Sequence, residues 1–547
     1  MFGNKGEIIA CLAFCLIGVR CQDKESVPQV TWLESGICRQ CVCKDGKVDC
    51  QDQKVDKYFE IKEWNTLKDF KPTHVDMSEN SIVNITVMPE LPIEVLNLSR
   101  NSIEFIESAS FKDLQEMRVL DLSHNQLTSD KLSPHAFEVT FFNKVYFFPN
   151  PLVSKGCQSP FPNPSQSLIL NPTVVGSALA AALVLLINCY FQGRYSPEEY
   201  EPLDSMRKLN LAYNDLHSLH PDLFEHIPQL TELDISGNPI MTIDHVTIIA
   251  ISSLPKLEIL RMRSCQLTEI PDKFLHTPLY LSRLDLSDNK LTAVPQELEE
   301  TKNLVYLNLN QNPIAKLDMT SEDYSGFPSL RKLQELHMCN MPELKSIGPG
   351  ALAGLENLKS LHLSFNPQLS SIDPKALARP DDIGETYDWP AVKELYLQSN
   401  NLSEVDSRLL SRWDLLEVVD VSKNPYLCDC STQWMVDMLV PIVDKKDSNA
   451  SEKMVCEEPI EMRGYTMKHL HDIHRTMRCL DKYGNRPEKD GAILLGTFIG
   501  ILLALPIMLS LTLLWRHGYF AWLGLRGPSD VSRAFYKRAP VEDNVYM

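Results

Sequence analysis

Met206 to Leu216 reads MRKLNLAYNDL, and Leu230 to Ile240 reads LTELDISGNPI. Both stretches fit L-x-x-L-x-L-x-x-N-x-L. The positions are filled first by Met206, Leu209, Leu211, Asn214 and Leu216, then by Leu230, Leu233, Ile235, Asn238 and Ile240. The two asparagines lie 24 residues apart. Alternation at period two sends the apolar side chains to one side of a short strand. The asparagine turns the chain away from that strand, and its amide can satisfy backbone groups buried in the turn. One such unit cannot bury its own apolar face, so the pattern predicts stacked copies around a continuous core.

Outward from this stretch the asparagine position recurs at Asn80, Asn101, Asn125, Asn214, Asn238, Cys265, Asn289, Asn312, Met341, Asn366, Asn400 and Asn424. Most steps are 21 to 29 residues, and Asn366 to Asn400 is 34. In period and pattern the chain resembles leucine-rich-repeat proteins. The resemblance implies an α/β solenoid, a horseshoe with a concave parallel β-sheet, made of about 12 repeats over residues 70–427. Solenoids of this kind usually bind a partner on the concave strands. Cys265 replaces one asparagine and reads as a buried, inert thiol. Met341 breaks the asparagine ladder and predicts a local irregularity. Phe111 and Leu114, Phe224 and Ile227, and Leu409 and Leu410 fall between strands as apolar positions for the convex spine.

The ends of such an array need covers, or the terminal repeats expose core. Cys38, Cys41, Cys43 and Cys50 are spaced C-x2-C-x-C-x6-C within residues 30–69. In a secreted chain they read as a disulfide knot. They resemble the N-terminal cap of extracellular leucine-rich-repeat proteins, although that family more often has three residues in the first gap. A small von Willebrand C-like knot is the other reading. At the far end NPYLCDC leads to Cys428, Cys430, Cys456 and Cys479 within residues 428–480. Spacing alone leaves three pairings open. Resemblance to the C-terminal cap of the same family implies Cys428–Cys456 and Cys430–Cys479. His469, His471 and His474 read as surface residues of a cap helix, with no metal.

Residues 1–21 carry Lys5 and a short apolar run from Ile8 to Val19, the form of a secretory signal peptide. Gly491 to Trp515 is 25 uncharged residues, enough for one membrane-spanning helix after a linker at 481–490. Arg516, Arg526, Arg533, Lys537 and Arg538 follow, which places the 516–547 tail in the cytoplasm and the N-terminus outside, at the plasma membrane. Val545-Tyr546-Met547 at the end fits a PDZ-type groove.

One interval is anomalous. Asn125 to Asn214 is 89 residues, and it contains Val139 to Gln192. None of the chain's 72 acidic residues falls in those 54 positions, and Val174 to Phe191 is nearly long enough to span a membrane. Without it the step is 89 − 54 = 35, close to the 34 found later. The segment is expected to lie outside the working fold, as a retained intron translated in frame. A Val first residue and a Gln last residue are compatible with the usual intron boundaries. If the segment is genuine protein, it reads as a lipid-contacting or disordered loop.

The formal charge of −19 argues against nucleic acid as a partner. No G-x-S-x-G, H-E-x-x-H, phosphate-binding Gly loop or paired-carboxylate motif is present, so neither a catalytic set nor a cofactor is expected. The chain outside 139–192 resembles single-pass leucine-rich-repeat cell-surface proteins of adhesion and recognition. That implies a receptor for an extracellular or cell-surface protein. The alternative is a co-receptor or decoy that captures a secreted factor and signals through a partner. Tyr306, His337, His362, Phe365 and Tyr396, in repeats eight to eleven, are the candidate partner-binding residues, since aromatic side chains are enriched at binding hot spots. Asn84, Asn97, Asn401 and Asn449 lie in N-x-S/T sequons. Asn97 sits on a predicted concave strand, where a glycan would block binding.

Overall fold

The computed structural model describes residues 36–137, 203–319, 326–380, 386–479 and 487–517. The expected signal peptide at residues 1–21, the 139–192 segment and residues 518–547, with the expected PDZ-type end, lie outside the described residues. The chain forms two compact units. The first runs to Asn366 and includes Ala376–Val392; the second holds Pro367–Lys375 and the chain from Lys393 on.

In the first unit the repeats form one sheet of three-residue strands. It starts with a hairpin, Val42–Lys44 against Lys47–Asp49, turned at Asp45 and Gly46 in the left-handed region. Lys47–Asp49 then pairs in parallel with His74–Asp76. From there Val95–Asn97, Val119–Asp121, Lys208–Asn210, Glu232–Asp234, Ile259–Arg261, Arg283–Asp285, Tyr306–Asn308, Glu335–His337 and Ser360–His362 follow in parallel. The middle residue of each strand is buried, from Val75 and Leu96 to Leu336 and Leu361. The residues beside it face the opposite way. Phe111, Leu114, Phe224 and Ile227 close the core between the strands.

The asparagines join each repeat to the one before. Asn238 is fully buried. Its Nδ2 donates to Ile235 O at 2.9 Å in its own turn and to Leu211 O at 3.0 Å in the preceding one, while Oδ1 accepts from Leu216 N at 3.0 Å. Asn101, Asn125, Asn214, Asn289, Asn312 and Asn366 repeat the arrangement. The residue before each ladder position takes a left-handed φ, as at Arg100, His124, Tyr213, Ser264, Gln311 and Phe365. At Gly237 only glycine fits, because a Cβ there would collide with the Tyr213 ring.

Met341 does not produce the expected irregularity. Glu335–His337 pairs in unbroken register on both sides, Leu307↔Leu336 and Leu336↔Leu361. The neighbouring amides serve instead: Asn310 Oδ1 accepts from Cys339 N at 2.6 Å and Asn366 Oδ1 from Met341 N at 2.7 Å. At Cys265 the thiol donates weakly to Ile235 O at 3.3 Å, where an amide would stand.

The array is continuous across the anomalous interval. Val119↔Lys208, Leu120↔Leu209 and Asp121↔Asn210 are direct parallel neighbours. Asn214 Nδ2 donates to Leu122 O at 3.0 Å and Oδ1 accepts from Leu127 N at 3.0 Å, as in an ordinary repeat step. His124 stacks on Tyr213 at 4.4 Å, and Phe137 and Leu203 at the two margins are both buried.

Both ends carry disulfides. In the first unit these are Cys38–Cys43 and Cys41–Cys50. In the second unit they are Cys428–Cys456 and Cys430–Cys479. The second unit also holds the parallel strands Glu394–Tyr396 and Val418–Asp420 and the helices Val440–Lys446 and Met467–Asp472. Its last described element is a helix, Pro487–Arg516, which from Gly491 on is long and apolar enough to cross a membrane.

Candidate functional site

Because strands alternate, the first and third residues of each share the solvent face of the sheet. Register then lines them up across the repeats. The third-residue column reads Asp76, Asn97, Asp121, Asn210, Asp234, Arg261, Asp285, Asn308, His337 and His362. In the early repeats this column is occupied with itself. Asn97 Nδ2 donates to Asp76 Oδ2 and Asn210 Nδ2 to Asp121 Oδ2, both at 3.1 Å.

Later the column changes character. The His337 and His362 rings stack at 4.0 Å with planes 9° apart, and Tyr306 lies 5.2 Å from His337. The Arg283 guanidinium sits 4.1 Å over the Tyr306 ring, a cation–π contact. His337 Nε2 is 2.7 Å from Glu335 Oε1, and His362 Nε2 is 2.9 Å from Ser360 Oγ. Burial first, then the Asp285 and Glu335 carboxylates, push the Tyr306 hydroxyl above its ordinary pKa, so it stays a neutral donor and acceptor. Three strands before Tyr306, Glu232 lies between Lys208 Nζ at 2.8 Å and Arg261 Nη1 at 2.5 Å. Burial pushes its carboxyl up, but the two cations outweigh this and hold it below its usual value.

The structure therefore brings Tyr306, His337 and His362 together across two columns: Tyr306 stands in the first-residue column with Arg283 and Glu335, the two histidines in the third. Phe365 stands beyond the strand, at the left-handed turn residue, with its side chain exposed. Tyr396 ends the strand Glu394–Tyr396 of the second unit. Reading only the residue between the core leucines overlooks Arg283, Glu335 and Glu232. They occupy the first strand position, which the same period of two assigns to the same face. Asn84, Asn401 and Asn449 are exposed, and Asn97 is half-buried.

The chain matches the leucine rich repeat family over residues 92–138, 200–240, 255–314 and 331–382. It is 26% identical over 295 residues to Podocan-like protein 1 of Mus musculus, covering 52% of this chain and 50% of that one. It is 27% identical over 280 residues to Podocan of the same species, covering 45% and 44%. Chaoptin of Drosophila melanogaster is 28% identical over 166 residues, 27% of this chain and 13% of that one. The chain spans about half the length of the podocan relatives. Among solved structures, an LRR protein of Leptospira interrogans superposes with a TM-score of 0.42 and 20% identity, over 71% of this chain and 80% of that one. The repeat pattern, the observed sheet and the family match agree that the array is built of leucine-rich repeats, closed at its N-terminal end by a disulfide-bonded cap.

Proposed function

We propose that this chain is a cell-surface receptor that recognises or adheres to a protein through the solvent face of its repeat sheet. The observation that supports this is the cluster Arg283, Tyr306, His337 and His362. Aromatic rings and arginine are enriched at binding hot spots. Phe365 extends the proposed contact surface of the first unit, and Tyr396 is a separate proposed contact residue of the second. Gly491–Arg516 is the proposed single membrane crossing, with the disulfide-bonded units outside and the basic 516–547 tail in the cytoplasm. The Val545–Met547 end is a proposed strand-addition site for a PDZ-type partner.

The test is a binding screen of the soluble ectodomain, residues 22–485, against cells and secreted proteins. Tyr306→Ala is expected to weaken the ligand it finds by about 2 kcal/mol or more, the size of a hot-spot truncation. Unchanged binding by a folded Tyr306→Ala ectodomain removes the patch from the interface. Binding to cells that carry this same chain supports adhesion. Capture of a soluble factor alone turns the reading to a co-receptor or decoy.

A further inference from the structure

We propose that Glu335, His337 and His362 form a binding site for a divalent transition-metal ion of the zinc type. Two imidazoles and one carboxylate are a donor set that suits zinc, with the fourth position left to solvent. Their ligating atoms all lie within 4.8 Å of one another. Tetrahedral bonds of about 2.1 Å place donors about 3.4 Å apart, so a pair at that limit closes by about 1.4 Å, and the two stacked imidazoles tilt so that their in-plane lone pairs converge on the ion.

The backbone is well placed to hold the three groups. Glu335–His337 and Ser360–His362 are adjacent parallel strands with His337 directly opposite His362. Leu336 and Leu361, the middle residues of the two strands, are buried and anchor both. The His337 side chain is only 18% exposed and Glu335 39%, which restricts their rotamers while keeping the row open to solvent. Ser360 Oγ, 2.9 Å from His362 Nε2, helps set that ring's plane. Among the described residues, His469, His471 and His474 of the C-terminal cap form no such group.

Metal uptake replaces the 2.7 Å hydrogen bond between Glu335 Oε1 and His337 Nε2 with two bonds to the ion. The site does not depend on the receptor reading, because it is defined by this chain's own side chains.

The experiment uses the full-length chain in detergent, stripped with a chelator and dialysed against zinc chloride with metal analysis. One ion per chain is expected. His337→Gln and His362→Gln should each weaken it more than about tenfold, which is at least the effect of losing an outer-shell partner. The triple variant His469→Gln/His471→Gln/His474→Gln should bind as the parent does. Zinc should also raise the unfolding temperature of the parent and leave that of the His337→Gln/His362→Gln double variant where it was. If a histidine variant does not match the parent's unfolding in chelator, Glu335→Gln takes its place, with the same weakening expected. An intact chain that takes up no zinc, or a double variant that takes up as much as the parent, overturns the proposal.

Discussion

Asn238 donates to two carbonyls and accepts from one N–H, all away from solvent. Asn238→Ala would strand those groups at a cost of roughly 2–4 kcal/mol, readable as a lowered denaturant midpoint. Cys265, in the same structural position, has only a thiol to offer. Burial pushes that thiol from its ordinary 9.0 up to about 12. Between those values the folded chain keeps the proton and the unfolded chain releases it, so Cys265 lowers stability as pH rises through that window. A thiol reagent at neutral pH is therefore expected to label Cys265 only after unfolding, as a timed mass measurement would show. The sequons separate in the same way. Asn97 has its Nδ2 on Asp76 and its Oδ1 on Ser99 N, whereas Asn84, Asn401 and Asn449 are exposed. Peptide mapping of secreted protein should find glycans on one or more of the exposed three and none on Asn97. What was legible at this scale follows from spacing: the ladder residues and the column holding His337 and His362. The pairing of Glu335 with His337 was not, since it requires knowing that both outward positions of one strand lean together. Nor was the left-handed turn conformation of Phe365, because that site holds residues as different as Arg100, Tyr213, Gly237 and Phe365.

A strand of three residues cannot hold its own register, and here the neighbours do it. Leu336 remains in line because Leu307 and Leu361 flank it, which is why Met341 replaces a ladder asparagine without a shift. The sequence shows the missing amide, but it does not show that Asn310 and Asn366 serve the two N–H groups nearby. The cap elements depend more on covalent links. Cys430–Cys479 closes 49 residues around the short helices of the C-terminal cap. Its loss is expected to cost about 2–5 kcal/mol, so Cys430→Ser should sharply reduce the chain's appearance in the medium or at the cell surface, measured by immunoblot. Normal export of that variant would show that the cap holds without this bond. The pairing of the four N-terminal cysteines was not legible, since spacing leaves their connectivity open and only folded geometry chooses Cys38–Cys43 and Cys41–Cys50.

Across the molecule, the stacked parallel strands and the apolar helix at Gly491–Arg516 could be read from period and length alone, because both are long-range regularities. The interval between Asn125 and Asn214 could be read only as a break in them. With the sheet in view, deletion of residues 139–192 is expected to leave surface expression and unfolding midpoint unchanged, and sequencing mature transcripts should find messages that lack those codons. Loss of surface expression in the deletion variant would show that the segment is needed. The direct pairing of Val119–Asp121 with Lys208–Asn210 also carries a topological consequence. Two strands that share hydrogen bonds occupy one compartment, so the chain must return to the side from which it left. The side of a membrane on which Leu120 and its strand fold is therefore also the side on which Leu209 and its strand fold.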